Sequence, residues 1–133
     1  MSESDIQNVI MEYLTLKKIG SFERINNLPS YNVKQGHYMR PSRYAKKGVC
    51  DIIGCLNGRF VGIEVKSPIE FNHVCTLWNK ISHIVDTYKP INKKEEHMLG
   101  QIRYITDKNR HGGYCFFTHS LDHVIAKLNM EFK

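Results

Sequence analysis

Asp51, Glu64 and Lys66 are the residues of this chain whose types and spacing point most directly to chemistry. They lie in two apolar runs, residues 49–56 and 59–66, separated by Asn57-Gly58. Asn-Gly between two apolar runs is the strongest short-range signal for a two-residue type I′ hairpin. That turn pairs Leu56 with Arg59, Ile53 with Gly62 and Asp51 with Glu64. Directly opposed residues on one sheet face have Cβ atoms roughly 5 Å apart. Lys66, two residues beyond Glu64, projects from the same face. Like charges directly opposite across a ladder are destabilising, so a hairpin built only for stability would carry Thr, Val or an opposite charge there. Two carboxylates tolerate the spacing when a hard cation sits between them. Mg²⁺ is typically held by one or two carboxylates, with waters and substrate phosphate completing its shell. In the competing reading Lys66 neutralises one acid and the other faces water. A one-residue slip of register would send the two acids to opposite faces.

The second feature that bears on chemistry is the placement of charge. The formal net charge is +6. Between Tyr31 and Gly48 lie Lys34, Arg40, Arg43, Lys46 and Lys47, with no acid among them. Tyr31, Tyr38 and Tyr44 are interleaved with these cations. A basic segment bearing aromatic rings suits a phosphate backbone and exposed bases. Charge runs are usually solvated loops without a partner, and it is the position of this one, immediately ahead of the acidic hairpin, that gives it weight.

Composition bounds the setting. The 133 residues suit one domain, 1–133, with a real core. An apolar fraction of 41% is ordinary for a globular chain. No apolar run is long enough for a transmembrane helix, and residues 1–5 are polar and acidic, without a signal-peptide pattern. A cytoplasmic protein with no membrane partner is expected. Cys50, Cys55, Cys75 and Cys115 form no C-x-x-C pair and are expected to be reduced and mostly buried. Cys50 and Cys55, of opposite parity on one strand, should point to opposite faces. Cys115, His119 and His123 straddle a strand and a helix start and lack a suitably spaced fourth ligand, which argues against zinc.

The elements that must position these groups follow from periodicity. A first helix is expected from about 4 to 18, with Ile6, Val9, Ile10, Tyr13 and Leu14 on one face. Ser4 and Gln7 fit a capping box, with Ser2 as the alternative cap. Glu3 falls at the end of the inward stripe, as a favourable N-terminal charge or as a third carboxylate aimed at a site. Gly20 ends this helix, and a short strand over 21–26, a break at 27–30 and the basic loop follow. Ser67-Pro68 stops the second arm of the hairpin, since proline cannot donate to a ladder. Helices are expected over 76–88, with Leu77, Ile81, Ile84, Val85 and Tyr88 on one side, and from 93 to about 109, with Met98, Gln101, Ile102 and Ile105 on one face. Residues 114–118 read as an interior strand, and Ser120 caps a final helix carrying Leu121, Val124, Ile125 and Leu128. The helical crossover between the second hairpin arm and the Phe116 strand allows those two to run parallel. The order implies an α/β fold, a mixed sheet flanked by helices.

Asp51 followed by Glu64-Val65-Lys66 at the end of a hairpin resembles the PD-(D/E)xK nuclease signature. The element order resembles that superfamily's restriction-endonuclease-like αβββαβ core, with an extra helix before the Gln101 helix. More narrowly, Glu3 on the first helix, Gly48-Val-Cys-Asp51-Ile-Ile-Gly, Ile63-Glu-Val-Lys66 and Gln101 followed by Tyr104 are similar to the VRR-NUC family, whose small stand-alone members occur in phages and bacteria. The chain departs from that pattern at Cys50, where a proline often precedes the Asp, and in a longer stretch between Lys66 and Gln101. The resemblance implies a Mg²⁺- or Mn²⁺-dependent endonuclease acting on DNA, double-stranded or branched, including Holliday junctions, as a homodimer; by analogy the extra helix with Trp78 offers the dimer surface, and Trp78 fits the core equally well. It implies Asp51, Glu64 and the Val65 main-chain carbonyl as metal ligands, with Glu3 contributing directly or through water. It implies a catalytic Lys66, and a Gln101 that hydrogen-bonds a water, a phosphate oxygen or Lys66. Lys34, Arg40, Arg43, Lys46 and Lys47 then grip the DNA backbone without reading bases. The rival is a nucleic-acid-binding module that kept the scaffold without catalysis; the intact Asp51, Glu64 and Lys66 argue against it.

Overall fold

The computed structural model describes residues 1–25, 31–32, 37–38 and 48–132. The elements among them, in chain order, are α1 (Glu3–Leu16), β1 (Ser21–Arg24), β2 (Tyr31–Asn32), β3 (His37–Tyr38), β4 (Ile52–Leu56), β5 (Arg59–Val65), α2 (Pro68–Ile81), α3 (Lys93–Arg110), β6 (Tyr114–Thr118) and α4 (Leu121–Glu131). Strands β1, β4, β5 and β6 form one sheet in that order, and β2 pairs with β3 apart from it. All pairings in the large sheet are antiparallel except β5 with β6, which run parallel as the crossover allows. Asn57 and Gly58 take φ of 51° and 79°, the two positive angles a type I′ turn requires.

Strand β5 is central and covered on both faces, which is why its pattern is apolar rather than strictly alternating. Val61, Ile63 and Val65 pack with Ile6, Ile10 and Leu14 of α1 and Val124 and Leu128 of α4. On the other face Cys50, Cys115 and Phe117 meet Leu77 and Ile81 of α2 and Leu99, Ile102 and Ile105 of α3. The result is one small α/β domain in three layers, with the sheet between two helix pairs. No helix among the described residues is long and apolar enough to cross a membrane.

Several boundaries differ from the periodicity. Ser2, not Ser4, caps α1: its hydroxyl accepts the Asp5 N–H and the Asp5 carboxylate accepts the Ser2 N–H. The helix ends at Leu16, and the chain turns through Lys18 and Gly20, both at positive φ. Helix α2 begins at Pro68 instead of 76. Ser67 caps it, and the proline sits in the first turn, where its missing N–H costs nothing. It ends at Ile81, so the apolar stripe read over 76–88 spans a helix and the turns after it, with Val85 buried and Ile84 exposed. Cys50 joins the α2–α3 core, although strand alternation from Ile52 would send it to the other face. The chain bends at Asp51, before β4 begins, so Cys50 and Cys55 do not obey one strand's parity. Two of the four cysteines are buried, Cys75 is half-buried and Cys55 exposed, and all four are free.

Candidate active site at the open end of the hairpin

The β4–β5 ladder runs from Leu56–Arg59 to Ile52–Ile63, and one further step sets Asp51 opposite Glu64. From there the cross-strand bonds are made by carboxylates. The Asp51 N–H donates to Glu64 Oε2 at 3.1 Å, and the Val65 N–H donates to Asp51 Oδ2 at 2.8 Å. The expected register therefore holds, and each acid grips the main chain of the opposite arm.

Glu64 is only 4% exposed. Its Oε1 accepts the Gln101 Nε2–H at 2.8 Å. Burial, and then the neighbouring Asp51 charge, push the Glu64 carboxyl up to about 9. Burial also raises Asp51, against the opposing pull of the Val65 N–H. At roughly 5 Å and an effective dielectric near 20, two ionised carboxylates repel by about 3 kcal/mol. Without a cation between them the pair therefore retains a proton near neutral pH, held mainly by Glu64. Lys66 opposes this, since its charge favours the ionised form of both acids. It is 8% exposed, and its N–H donates to the Thr118 carbonyl at 2.8 Å, extending the parallel β5–β6 ladder beyond Val65.

Two further elements deliver the remaining groups. Gln101 reaches Glu64 because α3 approaches the segment before β4 at close range. Gly48, at φ +77°, lies against Gly100 and Gln101; a Cβ there would stand 2.6 Å from the Gly100 carbonyl oxygen and 2.9 Å from the Gln101 nitrogen. Only glycine supplies both that angle and that space. Glu3 comes from α1 to the rim. It is exposed, its Oε2 accepts the Ser67 N–H at 3.2 Å, and its charge adds to the upward push on Asp51. The fold thus brings Asp51, Glu64, Val65, Lys66, Gln101 and Glu3 to one corner. Lys34, Arg40, Arg43, Lys46 and Lys47 lie outside the described residues. Trp78 is half-buried, edge-on to Phe117 at 5.6 Å, and packs against the α2–α3 core.

The donor set suits a hard cation. It offers carboxylate oxygens and, at the strand end, a main-chain carbonyl, the ligands of Mg²⁺ and Mn²⁺ rather than of a thiolate metal. Among the described residues no group of three or more His, Cys, Asp or Glu side chains is placed to hold a metal ion. One observation fits hydration. Gln101 is 5% exposed, and its Oε1 has no hydrogen-bond partner among the described residues. A buried acceptor of this kind calls for a donor such as an ordered water.

One residue here escaped the sequence reading. His97, one turn before Gln101 on α3, places Nε2 3.4 Å from Gln101 Nε2. The signal was its i, i+4 spacing from Gln101, which puts both on one helix face. No known family model matches this chain, and no curated protein is similar to it.

Proposed function

We propose that this protein is a Mg²⁺- or Mn²⁺-dependent nuclease that hydrolyses phosphodiester bonds in DNA, with a restriction-endonuclease-like core of the VRR-NUC kind. The observation that carries the reading is the pairing of half-buried Asp51 with buried Glu64, each holding the other arm's main chain, and buried Lys66 on the same strand end. A fold selected for stability alone gains nothing from two acids set face to face, whereas a carboxyl shifted as strongly as Glu64 beside a second acid is typical of sites that do chemistry. The order of α1, the β1–β4–β5 strands, the helices and β6, and the likeness of Glu3, Asp51, Glu64-Val65-Lys66 and Gln101 to that family, support the same reading.

Asp51, Glu64 and the Val65 carbonyl hold the cation, with Glu3 contributing from the rim through water. The bound ion supplies a nucleophilic water of lowered pKa and neutralises charge on the phosphoryl oxygens. Lys66 orients the attacking water and stabilises the added negative charge of the pentavalent phosphate. Gln101 steadies Glu64 through its N–H and offers its free Oε1 to a water. Lys34, Arg40, Arg43, Lys46 and Lys47 grip phosphates without reading bases. Branched DNA, including four-way junctions, is the preferred substrate and a homodimer the active form, because paired incisions on a two-fold substrate need paired sites.

The test incubates the protein with four-way-junction, flap and linear DNA, and with RNA as a control, in Mg²⁺, Mn²⁺ or EDTA. Cleavage that requires metal, is strongest on branched DNA and disappears in Lys66→Ala is the expected result. Binding without cleavage in every condition would leave only a nucleic-acid-binding module. Sedimentation on a junction should show two 15.5 kDa chains; a single chain removes the two-fold part of the proposal.

A further inference from the structure

Gln101 has two amide N–H groups and one carbonyl oxygen, and each meets a different environment. One N–H donates to Glu64 Oε1 at 2.8 Å. The other faces His97 Nε2 at 3.4 Å. The carbonyl Oε1 is buried without a partner among the described residues. A single hydrogen bond pins one atom of a long side chain and leaves the amide free to turn about it. A second bond from the same NH₂ fixes the plane of the amide, and with it the direction of the oxygen.

We propose that His97 is a positioning residue: its neutral imidazole accepts the second Gln101 N–H through Nε2 and so aims Gln101 Oε1 at the reacting water. The functional consequence rests on the nuclease reading above. Chemistry decides the donor and acceptor. The amide nitrogen can only donate, so Nε2 must be unprotonated and the ring proton must sit on Nδ1. The ring is exposed, and one helical turn separates it from Gln101. Lys94, on the same face of α3, is engaged by Glu70 at 3.5 Å and by His73 Nδ1 at 3.1 Å from α2. A separation of 3.4 Å is long for a hydrogen bond, as catalytic contacts commonly are before substrate tightens them.

The experiment has two arms. Long-range ¹⁵N–¹H correlation on the metal-free protein at pH 8 should show His97 as the Nδ1–H tautomer, with the Gln101 side-chain amide resonances displaced in His97→Phe and restored in His97→Gln. An Nε2–H tautomer, or amide resonances indifferent to His97→Phe, overturns the proposal whether or not the protein cuts DNA. The second arm measures kcat and KM on the best DNA substrate. His97→Phe and His97→Lys, which cannot accept, should lower kcat about ten- to a hundredfold with KM unchanged. His97→Gln, whose carbonyl can accept in place of Nε2, should recover most of it. Equal kcat in all four proteins, or a change confined to KM, refutes the positioning role. If wild-type protein cuts nothing, the nuclease reading fails and the tautomer arm still decides the contact.

Discussion

At its turn, the β4–β5 hairpin pairs Leu56 with Arg59 through an Asn57-Gly58 connection that takes the backbone angles those residues favour. Arg59 reaches Glu131 at 3.1 Å and lies over the Phe132 ring at 5.2 Å. Five residues along each arm from that pair, at the open end, the same two arms set half-buried Asp51 against buried Glu64. At the turn, opposite charges meet in water and every local preference agrees with the fold. At the open end, two acids meet with one of them buried, and the preference is violated. Sequences break such rules chiefly where a site needs it. The ladder between the two ends is continuous, so the stable turn fixes the register that holds the unstable pair together.

The most severe test neutralises one acid. If the proposed function holds, Glu64→Gln removes a cation ligand, and loss of several kcal/mol of charge stabilisation corresponds to about 10³-fold or more in cleavage rate. The same change should stabilise the metal-free protein at pH 8. Folding raises Glu64 from 4.5 to about 9, so between those values the folded chain keeps a proton that the unfolded chain has released. Stability from this group is therefore full below about pH 4.5, falls as pH rises toward 9 and is level above it. The effect is of the order of a few kcal/mol. Urea denaturation from pH 5 to 9 should show a slope in wild type that is reduced in Glu64→Gln. In the proposed nuclease, Mg²⁺ or Mn²⁺ binding at Glu64 displaces that proton, so calorimetry should find affinity rising with pH over the same window. A variant as pH-dependent as wild type, or no more stable at pH 8, would show that the open end carries no such strain.

The next test compares two left-handed glycines, one near each end. Gly48→Ala meets an unfavourable φ costing about 1–2 kcal/mol and a Cβ 2.6 Å from the Gly100 carbonyl. Relieving that overlap costs roughly 1–3 kcal/mol more and moves α3. Cleavage should fall with stability, because Gln101 travels with α3. Gly58→Ala meets the same unfavourable sign of φ, but among the described residues no atom beyond its chain neighbours lies within 4 Å of its Cβ. It should cost only about 1–2 kcal/mol and leave cleavage per folded molecule unchanged. Equal losses of activity in the two variants would erase the distinction between the ends.

How far these ends were legible depends on where the information resides. The Asn57-Gly58 turn is local chemistry, and it sufficed to place Asp51 opposite Glu64. The apolar runs likewise marked α3, β6 and α4, and the helical crossover allowed the parallel pairing of β5 with β6 that the sheet shows. Pro68 misled because one residue can end a strand and start a helix, and Ser67, its cap, lies in the same two-residue signal. Cys50 misled because alternation holds only within a strand and the chain bends at Asp51. His97 stayed invisible because its meaning depends on Gln101 being buried against Glu64, a tertiary fact. Gly48 belonged to the resemblance, but its reason, the close approach of α3, appears only in three dimensions.

The smallest expected effect lies at the turn. Arg59 donates to Glu131 at 3.1 Å and to the Gly112 carbonyl at 3.0 Å, so it ties the hairpin to α4 and to the connection before β6. The two charged side chains are 37% and 36% exposed, and at that exposure water and salt screen the attraction. Such a pair contributes about 0–1 kcal/mol, with the aromatic contact adding about 0.5–1 kcal/mol. Arg59→Met keeps most of the packing and removes the charge. It should lower stability by about 1 kcal/mol in low salt, less in 1 M NaCl, and leave cleavage unaltered. Thermal unfolding at the two salt concentrations reads this directly. A loss of several kcal/mol that ignores salt would mean the turn end is a buried electrostatic site like the other, and the contrast between the two ends would fail.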